Sequence, residues 1–207
     1  MGGYYDLEAP VYDESRGGVD RARAAADAVV RLVGSGSRYG VALDVGGGTG
    51  IVSAELSSRG WSVLVLDGSL GMLGLARHRM PGRVVAADAG RLPVADSSVE
   101  LVTAIWLLHL VSTNTADLVL SEAERVLRPG GHFVTTVDKL QAHGRPPLSD
   151  ADDRDRLVRA AGRLGLTLAG ESRFSGRSRW GSATDADPAF RLVAFGREVR
   201  ETTRRSR

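Results

Sequence analysis

The chain has 207 residues, of which 43% are hydrophobic and 25% are charged. This is enough for one well-buried α/β domain and short for two. It has no cysteine, which excludes disulfide bonds, thiolate zinc sites and cysteine nucleophiles. No apolar run approaches the ~20 residues of a membrane-spanning helix, and the N-terminus lacks the pattern of a signal peptide. A cytoplasmic protein without a membrane span is therefore expected.

The N-terminal half begins with a segment of unclear period. Residues 1–18 hold three of the four tyrosines and show no regular apolar spacing. From Val19 to Val33 the small and apolar residues recur at helical spacing, and Gly34 is a typical helix stop. A helix is predicted there.

The rest of the chain alternates between strand and helix patterns. Strands are predicted at VALDV, WSVLVLD, RVVAAD, HFVTTVD, LTLAGESRF and FRLVAFGRE, and the stretch SSVELVTAIWLLHL is predicted to contain a further one, the fourth in chain order. Helices are predicted at TGIVSAELSSRG, SLGMLGLARHRM, TNTADLVLSEAERVL and SDADDRDRLVRAAGRLG. The alternation predicts a doubly wound, mostly parallel α/β sheet in one domain over residues 1–207.

Finer expectations concern helix faces, turns and the tail. In TNTADLVLSEAERVL we expect an inward face formed by Leu118, Ala123, Val126 and Leu127. The following RPGG is predicted to be a turn, RSRWGSATDADP a loop, and residues 198–207 a flexible tail.

A glycine-rich turn follows the first predicted strand in the stretch ALDVGGGTG, residues 42–50. Gly46, Gly48 and Gly50 let the backbone turn tightly and approach a ligand where a Cβ atom would collide. The next helix presents free N–H groups at its start. Ligands of doubly wound sheets bind beyond the carboxyl ends of the strands, so this turn is the expected ligand site.

Three classes of ligand use such a turn. A nucleoside triphosphate loop needs a Gly-Lys-Ser/Thr sequence, which is absent here. A dinucleotide fingerprint fits poorly, because Ile51 stands where that pattern has glycine or alanine. The GxGxG pattern remains, although glycine-rich turns between a strand and a helix are common.

Two acids downstream indicate a nucleoside. Asp67 ends the second predicted strand, where a carboxylate can accept both hydroxyls of a ribose. Asp88 ends the third, where it can accept an adenine amine while the N–H of Ala89 donates to the ring. Met72 can pack on the adenine face. Because a dinucleotide also fits Asp67, these residues leave the cofactor open.

The order of these motifs is similar to that of the class I S-adenosylmethionine-dependent methyltransferases. The segments that carry the resemblance are ALDVGGGTG, LDGSLGMLGLAR, AADAGRLPVADSSVELV and ERVLRPGGHFV. The resemblance is closest to the small-molecule branch that includes the ubiquinone and menaquinone methyltransferases, and it extends from about Tyr4 to Val137. It implies a seven-stranded Rossmann-like sheet, with the last strand antiparallel and helices on both faces.

The resemblance also implies a methyltransferase that uses S-adenosylmethionine and releases S-adenosylhomocysteine. Its implied cofactor-binding residues are Tyr12, Asp44, Gly46, Gly48, Gly50, Asp67, Gly68, Met72, Asp88, Ala89, Ile105 and Trp106. In this branch the N-terminal stretch often folds over the cofactor. Residues 1–18 are therefore expected to form a lid, with Tyr4, Tyr5 and Tyr12 as candidates.

Candidate catalytic residues follow the fourth and fifth predicted strands. His109 is the first candidate for a general base, and Asp138 and His143 lie on the same rim. For His109 a role in packing or in gating the cofactor is the alternative. No metal site is expected, because one carboxylate after the fifth strand does not make a magnesium site.

The expected reaction is methyl transfer to an oxygen or nitrogen of a small molecule, plausibly in secondary metabolism. Three alternatives stay open: a peptide or protein target, a nicotinamide-dependent oxidoreductase, and a module that binds the cofactor without catalysis. No nucleic-acid partner is expected, because the basic stretch GREVRETTRRSR has no aromatic residues among its cations. The protein is expected to be a monomer or a homodimer.

Overall fold

The computed structural model describes residues 2–34, 40–143, 145–177 and 187–199. Within these residues the chain forms seven strands and six α-helices. The strands are β1 (Val41–Val45), β2 (Ser62–Asp67), β3 (Val84–Ala86), β4 (Val99–Ala104), β5 (Leu127–Val137), β6 (Leu166–Ser175) and β7 (Ala189–Arg197). The helices are α1 (Gly2–Ser15), α2 (Gly18–Val33), α3 (Ile51–Ser57), α4 (Leu70–Arg79), α5 (Thr113–Val126) and α6 (Arg154–Arg163).

Polar side chains fix where several helices begin. Ser69 accepts a hydrogen bond from the Met72 N–H at the start of α4, and Ser112 accepts one at the start of α5. Asp153 caps α6 in the same way. These caps satisfy backbone donors that the first helical turn leaves free. The predicted start of the last helix was too early, because α6 begins after its cap.

The strands form one sheet in the order β3-β2-β1-β4-β5-β7-β6. Neighbouring strands are parallel except at β7, which runs antiparallel to β5 and β6. Helices α2, α3 and α4 pack on one face, and α5 and α6 pack on the other. The predicted seven-stranded, doubly wound sheet with its last strand antiparallel is confirmed.

The topology creates a crevice beside β1. This strand pairs with β2 on one side and with β4 on the other, so the winding of the chain reverses between β1 and β4. The loops that leave these two strands diverge to opposite faces, and ligands of open α/β sheets bind in the space between them. The predicted glycine turn lies at this position.

The predicted inward face of α5 is wrong for Leu118, whose side chain is 53% exposed. The buried residues of this helix are Ala116, Val119, Leu120, Ala123 and Val126. Leu118 instead lies over the loop after β3, where a Cβ atom added to Gly90 would be 3.1 Å from the Leu118 Cβ. That loop, and not the sheet, is its neighbour.

Other expectations have mixed outcomes. The N-terminal segment is helical (α1) although its sequence shows no clear period and contains Pro10. The RPGG stretch lies within β5, where the pairing with β4 shifts register between Val99 and Leu101. Its first three residues are exposed, and the stretch is part of a strand instead of a separate turn. The predicted loop over residues 177–188 and the tail over 198–207 fall mostly outside the described residues.

The different burial of Leu118 and Leu120 gives a stability prediction on a single helix. Leu120→Ala leaves a cavity under α5, and we expect it to lower the free energy of unfolding by about 2–5 kcal/mol. Leu118→Ala removes a half-exposed side chain and is expected to change it by less than about 1 kcal/mol. Urea denaturation of both variants measures the difference, and equal losses would contradict the assignment of the buried face.

Candidate active site

The glycine turn after β1 is held in left-handed backbone conformations. Gly46, Gly48 and Gly50 have φ angles of +69°, +57° and +73°, which residues other than glycine rarely adopt. The N–H groups of Gly46 and Gly47 both donate to the Leu66 carbonyl, at 2.8 and 3.1 Å. The turn is therefore fastened to the end of β2.

The Asp67 carboxylate joins this turn to the start of α4. Its Oδ2 accepts a hydrogen bond from the Gly48 N–H at 2.8 Å, and its Oδ1 accepts one from the Ser69 N–H at 2.8 Å. Charge-assisted bonds of this kind are stronger than neutral ones. One side chain thus links the loop after β1 to the loop after β2.

Asp44 lies beneath the turn and is almost fully buried. Its carboxylate accepts hydrogen bonds from the Ser53 hydroxyl at 2.5 Å and the Thr103 hydroxyl at 2.7 Å. Burial raises the pKa of this carboxyl group. The two bonds tie β1 to α3 and β4, so Asp44 orders the floor of the site.

A cavity of about 670 Å³ opens beyond the carboxyl ends of β1, β2, β3 and β4. This volume is in the range of small-molecule sites, roughly 300–1,000 Å³. The predicted cofactor residues that line it are Tyr12, Gly46, Gly48, Asp67, Gly68, Met72, Asp88, Ala89, Ile105 and Trp106. The structure therefore brings together residues that are widely separated along the sequence.

The other two predicted cofactor residues lie outside this lining. Asp44 lines a smaller adjoining cavity of about 40 Å³. Gly50 caps the start of α3, and a Cβ atom added to it would be 3.3 Å from the Ala76 Cβ. The absence of a side chain at Gly50 therefore allows close packing against α4, and not against a ligand.

Helix α1 covers the cavity and is attached at two points. Asp6 accepts hydrogen bonds from the Ser69 hydroxyl at 2.5 Å and the Gly71 N–H at 2.8 Å. Asp13 accepts one from the Thr49 hydroxyl at 2.6 Å and pairs with Arg79 at 2.6 Å. Both acids therefore hold α1 against the loops of the site.

The tyrosines of α1 divide between the cavity and solvent. Tyr5 and Tyr12 line the cavity, with ring centres 6.2 Å apart, whereas Tyr4 is exposed. Sequence reasoning missed the two attaching acids. A signal was present, because the dipeptide Tyr-Asp recurs seven residues apart, which places both copies on one face of a helix.

Trp106 forms the wall at the end of β4. Its φ angle is +58°, which is unusual for a bulky residue. The backbone N–H of Trp106 donates to the Thr136 hydroxyl at 2.8 Å, and the ring packs edge-on against Phe174 and Phe190. The Arg21 guanidinium lies 4.0 Å from the centre of the ring, so the surroundings fix this conformation.

His109 contacts Lys139, the only lysine in the chain. The His109 Nε2 and the Lys139 Nζ are 2.7 Å apart. Burial, and next the charge of Lys139, lowers the pKa of the imidazole to about 2. Burial, reinforced by the charges of Arg16 and Arg21, lowers the pKa of the amine to about 8. At neutral pH the ammonium therefore donates to a neutral imidazole.

None of the three catalytic candidates, His109, Asp138 and His143, lines the 670 Å³ cavity. The Asp138 carboxylate accepts a hydrogen bond from the Arg154 N–H at 3.2 Å and pairs with Arg191 at 3.5 Å. The His143 ring packs against Phe190 with ring centres 5.5 Å apart. Their roles as bases stay predictions.

Sequence reasoning also missed Arg21, which lines the smaller cavity, and Lys139, which contacts His109. Two features of the sequence could have indicated Lys139. It follows the fifth predicted strand, and it is the single lysine of a chain that otherwise uses arginine for its long cationic side chains. No such feature indicated Arg21, because it is one of several charged residues in the predicted helix from Val19 to Val33.

Among the described residues, no helix is long and apolar enough to cross a membrane. Within the same ranges, no group of three or more histidine, aspartate or glutamate side chains could hold a metal ion.

Comparison with known proteins identifies the fold. A SAM-dependent methyltransferase structure from Thermotoga maritima has a TM-score of 0.67, over 96% of this chain and 100% of that one, at 15% identity. At this identity the likeness concerns the fold alone. The chain thus shares its Rossmann-like fold with that structure.

Sequence comparison relates the chain to methyltransferases. Residues 43–135 match the model of the methyltransferase domain family. A demethylmenaquinone methyltransferase of Beutenbergia cavernae is 40% identical over 142 residues, which are 65% of this chain and 56% of the relative. A ubiquinone/menaquinone biosynthesis C-methyltransferase of Brucella canis is 37% identical over 157 residues, 70% of this chain and 56% of the relative. The chain is therefore similar to methyltransferases over residues 43–135, and it spans about half the length of the curated relatives it matches.

The single lysine allows a direct test of the site's electrostatics. In a sample labelled with ¹³C and ¹⁵N in lysine alone, we expect one side-chain signal that titrates with a pKa of about 8, well below the usual ~10.4. Because the charge of Arg21 lowers this pKa, Arg21→Gln is expected to raise it. A titration at the ordinary value in the native protein would contradict the described burial of Lys139.

Proposed function

We propose that this chain binds S-adenosylmethionine in the 670 Å³ cavity and transfers its methyl group to a small molecule. The observation that carries the proposal is the position of Asp67. Its carboxylate is bonded to the glycine turn and lines a cavity that extends from Asp88 to Trp106. Asp67, the proposed acceptor for the ribose hydroxyls, Asp88, the proposed acceptor for the adenine amine, and the aromatic ring of Trp106 thus line one cavity.

The residues present fit this cofactor. Asp67 would accept the ribose hydroxyls, and Asp88 with Ala89 would receive the adenine edge. The thioether of Met72, which is buried and lines the cavity, would lie against the adenine ring. The methionine end would lie towards the smaller cavity, which Asp44 and Trp106 line.

The bound sulfonium supplies a methyl group that is already activated. What the chain must do is align the acceptor and exclude water, and alignment alone can supply up to ~7–11 kcal/mol of a barrier. Trp106 and Leu107 border the cavity on the side of β4, and Tyr5 and Tyr12 border it from α1. These side chains would confine the acceptor beside the donor.

We also propose that residues 1–18 act as a lid within a single domain formed by residues 1–207. The support is the attachment of α1 through Asp6 and Asp13 to the loops after β2 and β1. A cofactor could leave only if these contacts open or if it passes beneath the helix.

The acceptor atom is the finer part of the proposal. Oxygen or nitrogen is the expectation from the sequence, and secondary metabolism is the expected setting. Carbon is a second candidate, favoured by the match to a relative whose name specifies C-methyltransferase activity. The ¹³C chemical shift of a transferred ¹³C-methyl group would distinguish the three atoms.

General-base catalysis by His109 is disfavoured by its surroundings. An effective base has a pKa near the working pH, whereas burial and Lys139 lower the pKa of His109 to about 2. His109 fits the alternative role of a packing and orienting residue, because its Nε2 accepts from the Lys139 ammonium.

Asp67 provides the test of cofactor binding. Asp67→Ala removes the charged acceptor for two ribose hydroxyls, and each such bond contributes roughly 1.5–3 kcal/mol. We expect calorimetry to show S-adenosylhomocysteine binding at least ~100-fold more weakly. Asp96→Ala, which changes an acid with a 75% exposed side chain, is the matched control and should leave the affinity unchanged.

Two further readings complete this experiment. Circular dichroism of the Asp67 variant must show a folded domain, so that lost affinity reflects the site. The native protein should bind S-adenosylhomocysteine and not the oxidised nicotinamide dinucleotide. The reverse preference would refute the proposal in favour of an oxidoreductase.

A further inference from the structure

The side of the site beyond Trp106 concentrates positive charge. Arg16 and Arg21 both line the smaller cavity together with Ile105 and Trp106. The Arg21 side chain is buried and stacks on Trp106, and its guanidinium carbon is also 5.8 Å from the centre of the Phe190 ring. A buried cation on an aromatic face is held in place without a full counter-charge.

Lys139 adds an ammonium group from the end of β5. One of its N–H donors is directed at the His109 Nε2. An ammonium has three donors and no acceptor, and no other hydrogen bond of this nitrogen occurs within the described ranges. His109 therefore orients the ammonium while leaving donors for a ligand.

The cations of this cluster act on one another. Burial lowers the pKa of Arg21 to about 10, and the charge of Arg16 contributes to this decrease. Burial also lowers the pKa of His143, and the positive charges of four residues lower it further: Lys139, Arg21, Arg145 and Arg16. Like charges disfavour each other's charged forms, so the cluster has a positive local potential.

The acids around the cluster are already engaged. Glu8 pairs with Arg16 at 3.4 Å. Asp13 is bonded to Thr49 and Arg79, and Asp152 accepts a hydrogen bond from the backbone N–H of Lys139 at 2.9 Å. These contacts neutralise part of the positive charge of the cluster. The charge that remains would attract an anionic ligand.

We propose that Lys139, oriented by His109, and Arg21, stacked on Trp106, bind an anionic group of the methyl acceptor. The acceptor class is an aromatic or conjugated molecule that carries a carboxylate, a phosphate or an ionised hydroxyl. Trp106 would contact its apolar part and the cations its charge. This inference rests on the proposed function, because it places the acceptor beside the proposed cofactor cavity.

The same cations could instead bind the carboxylate of the cofactor. The two sources of the anion are separated by saturating the protein with S-adenosylhomocysteine, which carries that carboxylate itself. Calorimetry then compares 2-naphthoate with 2-naphthamide, which has a similar shape and no charge. We expect naphthoate to bind the saturated protein at least tenfold more tightly than naphthamide.

Variants locate the binding. Lys139→Met should abolish the tenfold preference for naphthoate and change the affinity for S-adenosylhomocysteine by less than twofold, whereas Lys139→Arg should retain much of the preference. Arg128→Met removes a cation whose partner is Glu100, outside this cluster, and should leave naphthoate binding unchanged. If Lys139→Met does not fold, the single lysine NMR signal of the native protein replaces it. Naphthoate, but not naphthamide, must then shift that signal.

Several results would overturn the inference. One is equal affinity of the saturated protein for the two probes. Another is naphthoate that binds only the cofactor-free protein and competes with S-adenosylhomocysteine, which would assign the cations to the cofactor. A native protein that does not bind S-adenosylhomocysteine at all would instead refute the proposed function itself.

Discussion

The hydrogen bonds of the Asp67 carboxylate are the contacts on which the rest of the site depends. They connect the Gly48 N–H of the turn after β1 to the Ser69 N–H at the start of α4. Parallel pairing of β1 and β2 brings the two loops to the same edge of the sheet. The carboxylate then links them, and α1 attaches to the same loops through Asp6 and Asp13. The glycine turn, the start of α4 and the covering helix α1 are thus joined at one junction.

The far side of the cavity has a different character. Trp106 keeps an unusual backbone conformation because Thr136, two phenylalanines and Arg21 surround it. Lys139 and His109 follow the neighbouring strands β5 and β4 and meet at 2.7 Å. Since β4 and β5 pair in parallel, their loops leave the same edge as the glycine turn. The proposed cofactor cavity and the cluster of Arg16, Arg21 and Lys139 therefore lie at the same edge of the sheet.

Much of this architecture could be predicted from the sequence, because β1 to β5 contain apolar runs that helical patterns separate, except between β3 and β4. The glycine turn and Asp67 were equally predictable, since their positions follow from the strand ends. The side on which Leu118 lies was not, because helical spacing does not reveal that a loop covers part of a helix. Arg21 and Lys139 were missed for a related reason. Their importance comes from contacts with Trp106 and His109, residues distant in sequence that only the folded sheet brings near.

The most direct test of the central claim is methyl transfer itself. The native protein is incubated with adenosylmethionine labelled in its methyl group and an extract of cells that encode the chain, and the products are separated into small molecules and macromolecules. The proposed function predicts label in the small-molecule fraction. Label in the protein fraction alone, or no label although S-adenosylhomocysteine binds, would contradict it.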